Sequence, residues 1–298
     1  MIHTKRLLPF AAHASCVALW ILAAVPALAQ DEPRREDLSS SRGLAMGTGS
    51  RASSVSTSAL AYNPAGLPIG RLYHLEGFAG YVPDAERWEV GGSIVDSMTN
   101  KLAAGLSFRG LLGNGEEGYS GMDGRVAVGL PFSEAFSLGI AGRYLSLTRD
   151  GQIPEGESDE LAQGITLDAS ILVQPTQGLR LVAFGYNLID LESPYAPLTL
   201  GGGAAFSAEM FTLGADVLVD LSTYESAEWT LGGGAEYLAG GQVPVRAGYA
   251  YDHGRRVHTV TGGLGYVDQK VGVDLSLAQD VRGAGETRLL ATIRYFVQ

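Results

Sequence analysis

From residue 71 to its end the chain alternates, in blocks of about ten residues, between apolar side chains and small or polar ones, the period of a β-strand. Leu102, Ala104, Leu106 and Phe108 share one face, while Ala103, Gly105, Ser107 and Arg109 share the other. The pattern recurs in Ile165, Leu167, Ala169, Ile171 and Val173 against Thr166, Asp168 and Ser170, and in Val271, Val273, Leu275 and Leu277 against Gly272, Asp274 and Ser276. Beyond residue 30 no apolar run approaches the roughly 18 residues a membrane-spanning helix needs, so a helical membrane protein is excluded. The blocks predict strands near 71–82, 86–96, 101–111, 121–131, 136–148, 163–174, 178–188, 197–207, 209–221, 227–238, 242–252, 256–267, 270–279 and 286–297.

About fourteen strands that alternate in direction put every long connection at one end and very short turns at the other, the pattern of a transmembrane antiparallel β-barrel. A soluble sandwich or barrel also alternates, and three features weigh against it. The non-apolar faces are rich in Gly and Ala, the strands look uniform in length, and aromatics gather near strand ends. Tyr73, Tyr81, Trp88, Phe136, Tyr144, Trp229, Tyr237, Tyr251, Tyr266 and Tyr295 are the candidates for two interfacial girdles. The expected fold class is therefore all-β, with the barrel over 71–298.

Residues 1–29 read as a cleaved signal peptide: Lys5 and Arg6, an apolar stretch around Val17 to Val25, then Ala27-Leu28-Ala29 as the cleavage pattern. This implies export, and outer-membrane lipid as the surroundings. Cys16 is the only cysteine and lies in the leader, which leaves no disulfide, thiol catalyst or thiolate metal site in the mature chain. The net charge of −11 gives no cationic surface for phosphate backbones, so nucleic acid is not an expected partner.

Residues 30–70 form an N-terminal extension that does not alternate. Asp31 to Asp37 is charged; Leu38 to Leu67 is rich in Ser, Ala and Gly but carries Leu44, Met46, Val55, Leu60, Ala61 and Tyr62. Solvated linkers seldom hold so many apolar groups. A plug inside the barrel is expected instead, with Gly and Ala on the lumen face allowing close approach. Asn63 precedes Pro64 and is biased toward an extended conformation, and Gly66 is expected to permit a turn into the first strand.

Arg42-Gly43-Leu44-Ala45-Met46-Gly47 and Ala59-Leu60-Ala61-Tyr62-Asn63-Pro64-Ala65-Gly66-Leu67 resemble the N-terminal hatch of the FadL-like outer-membrane transporters of long-chain fatty acids and aromatic hydrocarbons. Gly234-Ala235-Glu236-Tyr237, Val243-Pro244-Val245-Arg246-Ala247-Gly248-Tyr249 and Gly263-Leu264-Gly265-Tyr266 are similar to the related PorV-like barrels that attend secretion machinery. The resemblance implies a fourteen-stranded barrel with a hatch, in which Asn63, Pro64, Ala65 and Gly66 form the hatch motif, and a lateral opening in the wall beside it.

Strand parity turns Glu76, Glu89, Asp123, Asp168, Asp216, Asp220, Glu236, Asp252 and Asp274 inward with Arg109, Arg125, Arg143, Arg246, Arg288 and Arg294. Buried charge must be paired, so these groups are expected to pair across strands or to hold the hatch; Asp216, Glu236 and Arg246 are the lumen-facing binding candidates. No enzyme, cofactor or metal site is expected. His74, His253 and His258 lack metal-ligand spacing, and Gly47-Thr48-Gly49-Ser50-Arg51-Ala52 has the glycine spacing of a dinucleotide loop without its strand and helix. A Ser/His/Asp site, whose members meet only in space, stays open. Glu155, Glu157, Asp159 and Glu160 read as a solvated acidic loop.

Two functions follow. One is a channel for passive uptake of a hydrophobic small molecule, gated by the hatch. The other is a PorV-like scaffold or anchor gripped by envelope-complex proteins, which the short loops and charged lumen favour; the intact hatch motif favours the channel, which ranks narrowly first.

Overall fold

A computed structural model of the chain describes residues 40–114, 118–151, 158–282 and 285–297. The leader, the Asp31 to Asp37 stretch, Glu155, Glu157 and Gln298 lie outside the described residues. Fourteen strands form: β1 (Tyr73–Val82), β2 (Arg87–Asp96), β3 (Ala103–Leu112), β4 (Tyr119–Ser133), β5 (Phe136–Arg149), β6 (Glu160–Thr176), β7 (Leu179–Tyr186), β8 (Thr199–Ser207), β9 (Phe211–Asp220), β10 (Glu228–Ala239), β11 (Val243–Asp252), β12 (Val257–Val267), β13 (Val271–Arg282) and β14 (Thr287–Val297). Each pairs antiparallel with its neighbours in sequence, and β1 closes on β14 from Tyr73↔Val297 to Tyr81↔Leu289. Closure leaves no free edge strand, as a sheet that crosses a membrane requires; the Glu160–Asp168 half of β6 lacks a ladder partner toward β7.

Every expected strand is present, but the lengths are not uniform: β6 has 17 residues and β7 has 8. The difference arises where β7 stops at Tyr186. Residues 187–198 then run beside β6 without forming a strand, tied by Leu188 N–H to the Leu167 carbonyl at 2.8 Å and by Thr166 Oγ1–H to the Ile189 carbonyl at 2.7 Å. Because β6 begins at Glu160, the longest connection is 187–198 and not the β5–β6 loop.

The two ends of the barrel differ as alternation implies. Connections at 134–135, 177–178, 208–210, 240–242 and 268–270 are tight, and those at 150–159, 187–198 and 221–227 are longer. In the β12–β13 turn the Lys270 and Val271 N–H groups donate to Asp268 at 2.7 and 2.8 Å; these bonds, the Lys270 one foremost, hold its carboxyl below the usual range.

The outer wall is apolar. Leu106, Val126, Ile165, Leu213, Leu275 and Ile293 are each more than half exposed, which in water would be a severe liability and in lipid is the required surface. Aromatic pairs mark both ends: Tyr81 with Trp88 and Trp229 with Tyr251 at the long-loop end, Phe211 with Tyr237 at the short-turn end.

Candidate functional site

The lumen is occupied by residues 40–70, whose short helices are α1 (Ser41–Ala45) and α2 (Ser56–Tyr62), with 3-10 turns at Arg51–Ser53 and Pro64–Ile69. Ser40 caps α1 through the Gly43 N–H, which donates to its Oγ at 3.0 Å. Ala45, Met46, Ala59, Leu60, Asn63, Ala65 and Leu67 are all buried.

Close approach to the wall depends on residues without bulk. A Cβ on Gly139 of β5 would collide with Ala65 N and Pro64 C, and one on Gly214, Gly232, Gly234 or Gly248 would strike the backbone of residues 46–49. The glycines of the inward face therefore make the space in which the segment lies.

Of the four hatch-motif residues, Pro64 and Ala65 lie against β5 and β6, while Asn63 and Gly66 pack within the segment itself. Asn63 is fully buried with φ −159° and ψ 81°, and its Nδ2–H donates to the Arg51 carbonyl at 3.0 Å. Pro64 packs on Gly129 and Gly139. Ala65 N–H donates to Ser170 Oγ at 2.9 Å, and Ser137 Oγ–H donates to the Ala65 carbonyl at 2.7 Å. Gly66 corrects its expected role. It sits inside the Pro64–Ile69 turn, where a Cβ would strike the Ser54 carbonyl, and the chain enters β1 through Arg71 at φ 39°.

The three lumen-facing candidates hold the other side of the segment. Asp216 Oδ2 accepts the Arg51 backbone N–H at 2.9 Å and lies 3.5 Å from Arg51 Nη1, with both side chains buried. The Arg51 guanidinium sits 5.2, 5.3 and 5.6 Å from the rings of Tyr62, Phe184 and Tyr186, a cation–π cage in a desolvated site. Glu236 receives Arg42 at 3.2 Å and Arg246 at 2.6 Å, and Arg246 bridges on to Asp274 at 2.5 Å.

Parity over the strands alone missed Arg42 and Arg51, which were legible otherwise: they are the only charged residues between 38 and 67. A cationic segment inside an inward face where acids exceed bases has its partners indicated by charge alone.

A second feature is a belt of buried charge across β2 to β6. Arg109 and Arg143 meet Asp123 at 3.2 and 2.8 Å, Arg125 meets Asp168 at 2.8 Å, and Glu89 lies 3.8 Å from Arg87 and 3.7 Å from Arg109. Asn187 ties in the strap that follows β7, accepting from Arg143 at 3.0 Å and donating its N–H to Asp168 at 2.8 Å. Along β3 and β5 this belt separates two apolar layers. Ala59, Leu60, Leu67, Ala103, Ala127 and Ala141 lie on the short-turn side; Leu111, Leu145, Leu147, Ala162 and Ala196 lie on the long-loop side, packed by Leu191 and Tyr195 of the strap.

One Ser/His contact lies between α2 and β1. Ser56 Oγ and His74 Nδ1 are bonded at 2.7 Å in a buried site, and His74 Nε2 has no hydrogen-bond partner, so no carboxylate orients the imidazole as a triad requires.

On the outer apolar wall over β4 to β8 lies an apolar depression of about 660 Å³, lined by Leu130, Ile140, Ala169, Ile171, Ala183 and Leu188. Its floor includes Gly139 and Ser170, two of the wall residues that touch Pro64 and Ala65 from within. The wall is one strand thick between this depression and the hatch motif.

The toluene transporter TbuX of Ralstonia pickettii is 12% identical and covers 87% of this chain and 98% of its own, with a TM-score of 0.64. A FadL homologue of Pseudomonas aeruginosa is 14% identical over 86% and 97% of the two chains, at 0.61. The fold is that of the FadL-like barrels. The toluene transporter TodX of Pseudomonas putida, 14% identical over 88% and 98% with a TM-score of 0.61, shares it. No protein-family model and no curated protein sequence matches the chain. The FadL-like fold accounts for the closed fourteen-stranded ring; the luminal ties rest on the side chains described above.

Proposed function

We propose that this chain is a channel of the Gram-negative outer membrane for passive uptake of hydrophobic small molecules, with residues 40–70 as its gate. The relatives described as toluene transporters support the substrate class, and the apolar wall supports the location. The observation that carries the reading is the back-to-back placement of the Asn63-Pro64-Ala65-Gly66 element and the apolar depression, across β5 and β6.

Physical reasoning favours passage through the wall. An apolar solute moving straight along the lumen would have to cross the Arg109–Asp123–Arg143 belt or the Arg51–Asp216 and Arg246–Glu236 pairs. Opening any of these strips partners from buried charge, or from largely buried charge at Glu236, at a cost of about 3–5 kcal/mol per buried pair. Displacement of Pro64 and Ala65 from Gly139 and Ser170 breaks only neutral hydrogen bonds, worth about 1 kcal/mol each; the β5–β6 ladder is continuous at this height, so the lateral path also requires those two strands to part locally.

Deletion of residues 38–66 tests the gate. In proteoliposomes the deletion should raise permeability well above that of the intact chain, provided the barrel still shows heat-modifiable mobility. Unchanged flux through a folded deletion variant contradicts gating.

A second reading, a scaffold in an envelope-spanning machine, draws on the same buried belt, which makes the lumen rigid and polar, and on the short loops. It predicts a stoichiometric protein partner on gentle affinity purification from native membranes. The channel reading predicts a lone barrel carrying a lipophilic molecule.

A further inference from the structure

At the long-loop end, the outer surface of β10 to β13 carries aromatic and basic groups in one continuous cluster that the channel reading does not use. Trp229 and His253 stack at 4.8 Å, Trp229 and Tyr251 meet at 5.5 Å, and Tyr251 and His258 at 4.5 Å. Tyr249 hydrogen-bonds His258, and Glu228 bonds His253. Above these rings the tight connection 253–256 presents Arg256, and Arg282 stands opposite His258 in the β12–β13 register; His253, Arg256 and Arg282 are exposed.

The chain has 21 Lys and Arg among 298 residues and a net charge of −11, so a basic patch runs against the overall balance. Of the neighbouring acids, Glu228 is paired with His253 inside the cluster, and the others are engaged elsewhere. Asp252 accepts the Arg255 N–H and lines the luminal cavity, and Asp280 takes the Thr259 hydroxyl on the inward face.

We infer that this rim is a binding surface for the phosphorylated headgroup of an outer-leaflet lipid. Arg256 and Arg282 take the phosphate, His258 lines the site between them, and the Trp229–Tyr251 stack receives the saccharide and upper acyl region. Guanidinium groups match phosphate oxygens in charge and geometry, and aromatic rings with a polar edge settle at the boundary between headgroup and hydrocarbon. The inference rests on the outer-membrane reading, because only a barrel seated with its long-loop end outward brings this rim level with those headgroups.

The test follows Trp229 fluorescence in a W20F/W88F background, with the full-length barrel in detergent micelles. Two probes are titrated: a bis-phosphorylated glucosamine-disaccharide lipid with its acyl chains, and the same lipid after dephosphorylation. The phosphorylated probe should bind at least about tenfold more tightly, the gain expected of two charge-assisted phosphate contacts. In R256A/R282A the preference should shrink to about twofold or less by the same reasoning, while K101A/K270A at the opposite end should keep it. Equal binding of both probes by the parent, or a preference that survives R256A/R282A, overturns the inference. Either result from a heat-modifiable, detergent-soluble barrel leaves the membrane reading intact; a chain that stays in solution without detergent refutes that reading instead.

Discussion

At the scale of single residues, the lumen is governed by what a glycine leaves out. Gly139 faces Pro64 and Ala65 with no room for a methyl group, whereas a Cβ on Gly142, three residues along the same strand, meets nothing within 4 Å. G139A should therefore destabilise the folded barrel by about 1–3 kcal/mol through overpacking against backbone, and G142A should be near neutral, as read by urea titration of folding into vesicles. Equal effects would show that residues 64–65 do not press on β5. Arg51 and Asp216 make a second test. R51A strands a buried carboxylate and should cost about 3–5 kcal/mol, whereas R51A/D216N should lose clearly less than the sum of the two single changes. Additive losses would mean that the pair does not couple the segment to β9.

At the scale of elements, alternation made the strands legible because it is a local property: two adjacent residues on opposite faces suffice to report a strand. It also reported which side chains point inward, including Asp123, Asp168, Asp216 and Arg246. Height along the barrel was not legible, since parity carries no register. The layering of the charge belt between two apolar clusters emerges only when Ser107↔Arg125 and Arg125↔Arg143 fix the pairing. The strap at 187–198 was unreadable for a related reason: it is aperiodic, and its partners lie about twenty residues away on β6. Asn187 holds the strap at φ 52° while its side chain accepts from Arg143 and donates to the Pro197 carbonyl at 2.9 Å. N187A should lose both bonds and place alanine in a left-handed conformation, costing about 2–4 kcal/mol in all, and N187G should regain only the backbone share. Hydrogen exchange across 187–198 should accelerate in both; unaltered protection in N187A would show that the strap is held by Leu191 and Tyr195 alone.

At the scale of the whole molecule, a rigid ring of fourteen strands surrounds a segment that is fastened in two chemically different ways. Toward β9 and β10 it is held by ion pairs through Arg51 and Arg42, and toward β5 and β6 by neutral hydrogen bonds and glycine contacts. The central claim is that movement of this segment admits hydrophobic solutes. Ser170 Oγ lies 2.9 Å from Ala65 N, close enough to join the segment to β6 by a disulfide in A65C/S170C, and Cys16 is the only native cysteine. The most direct measurement is uptake of labelled toluene and of a labelled long-chain fatty acid by cells whose own outer-membrane channels for them are deleted and which produce this variant in a C16S background. Oxidation should abolish uptake and reductant should restore it to the level of the C16S parent, whereas equal uptake by the cross-linked and reduced forms would contradict a mobile luminal gate.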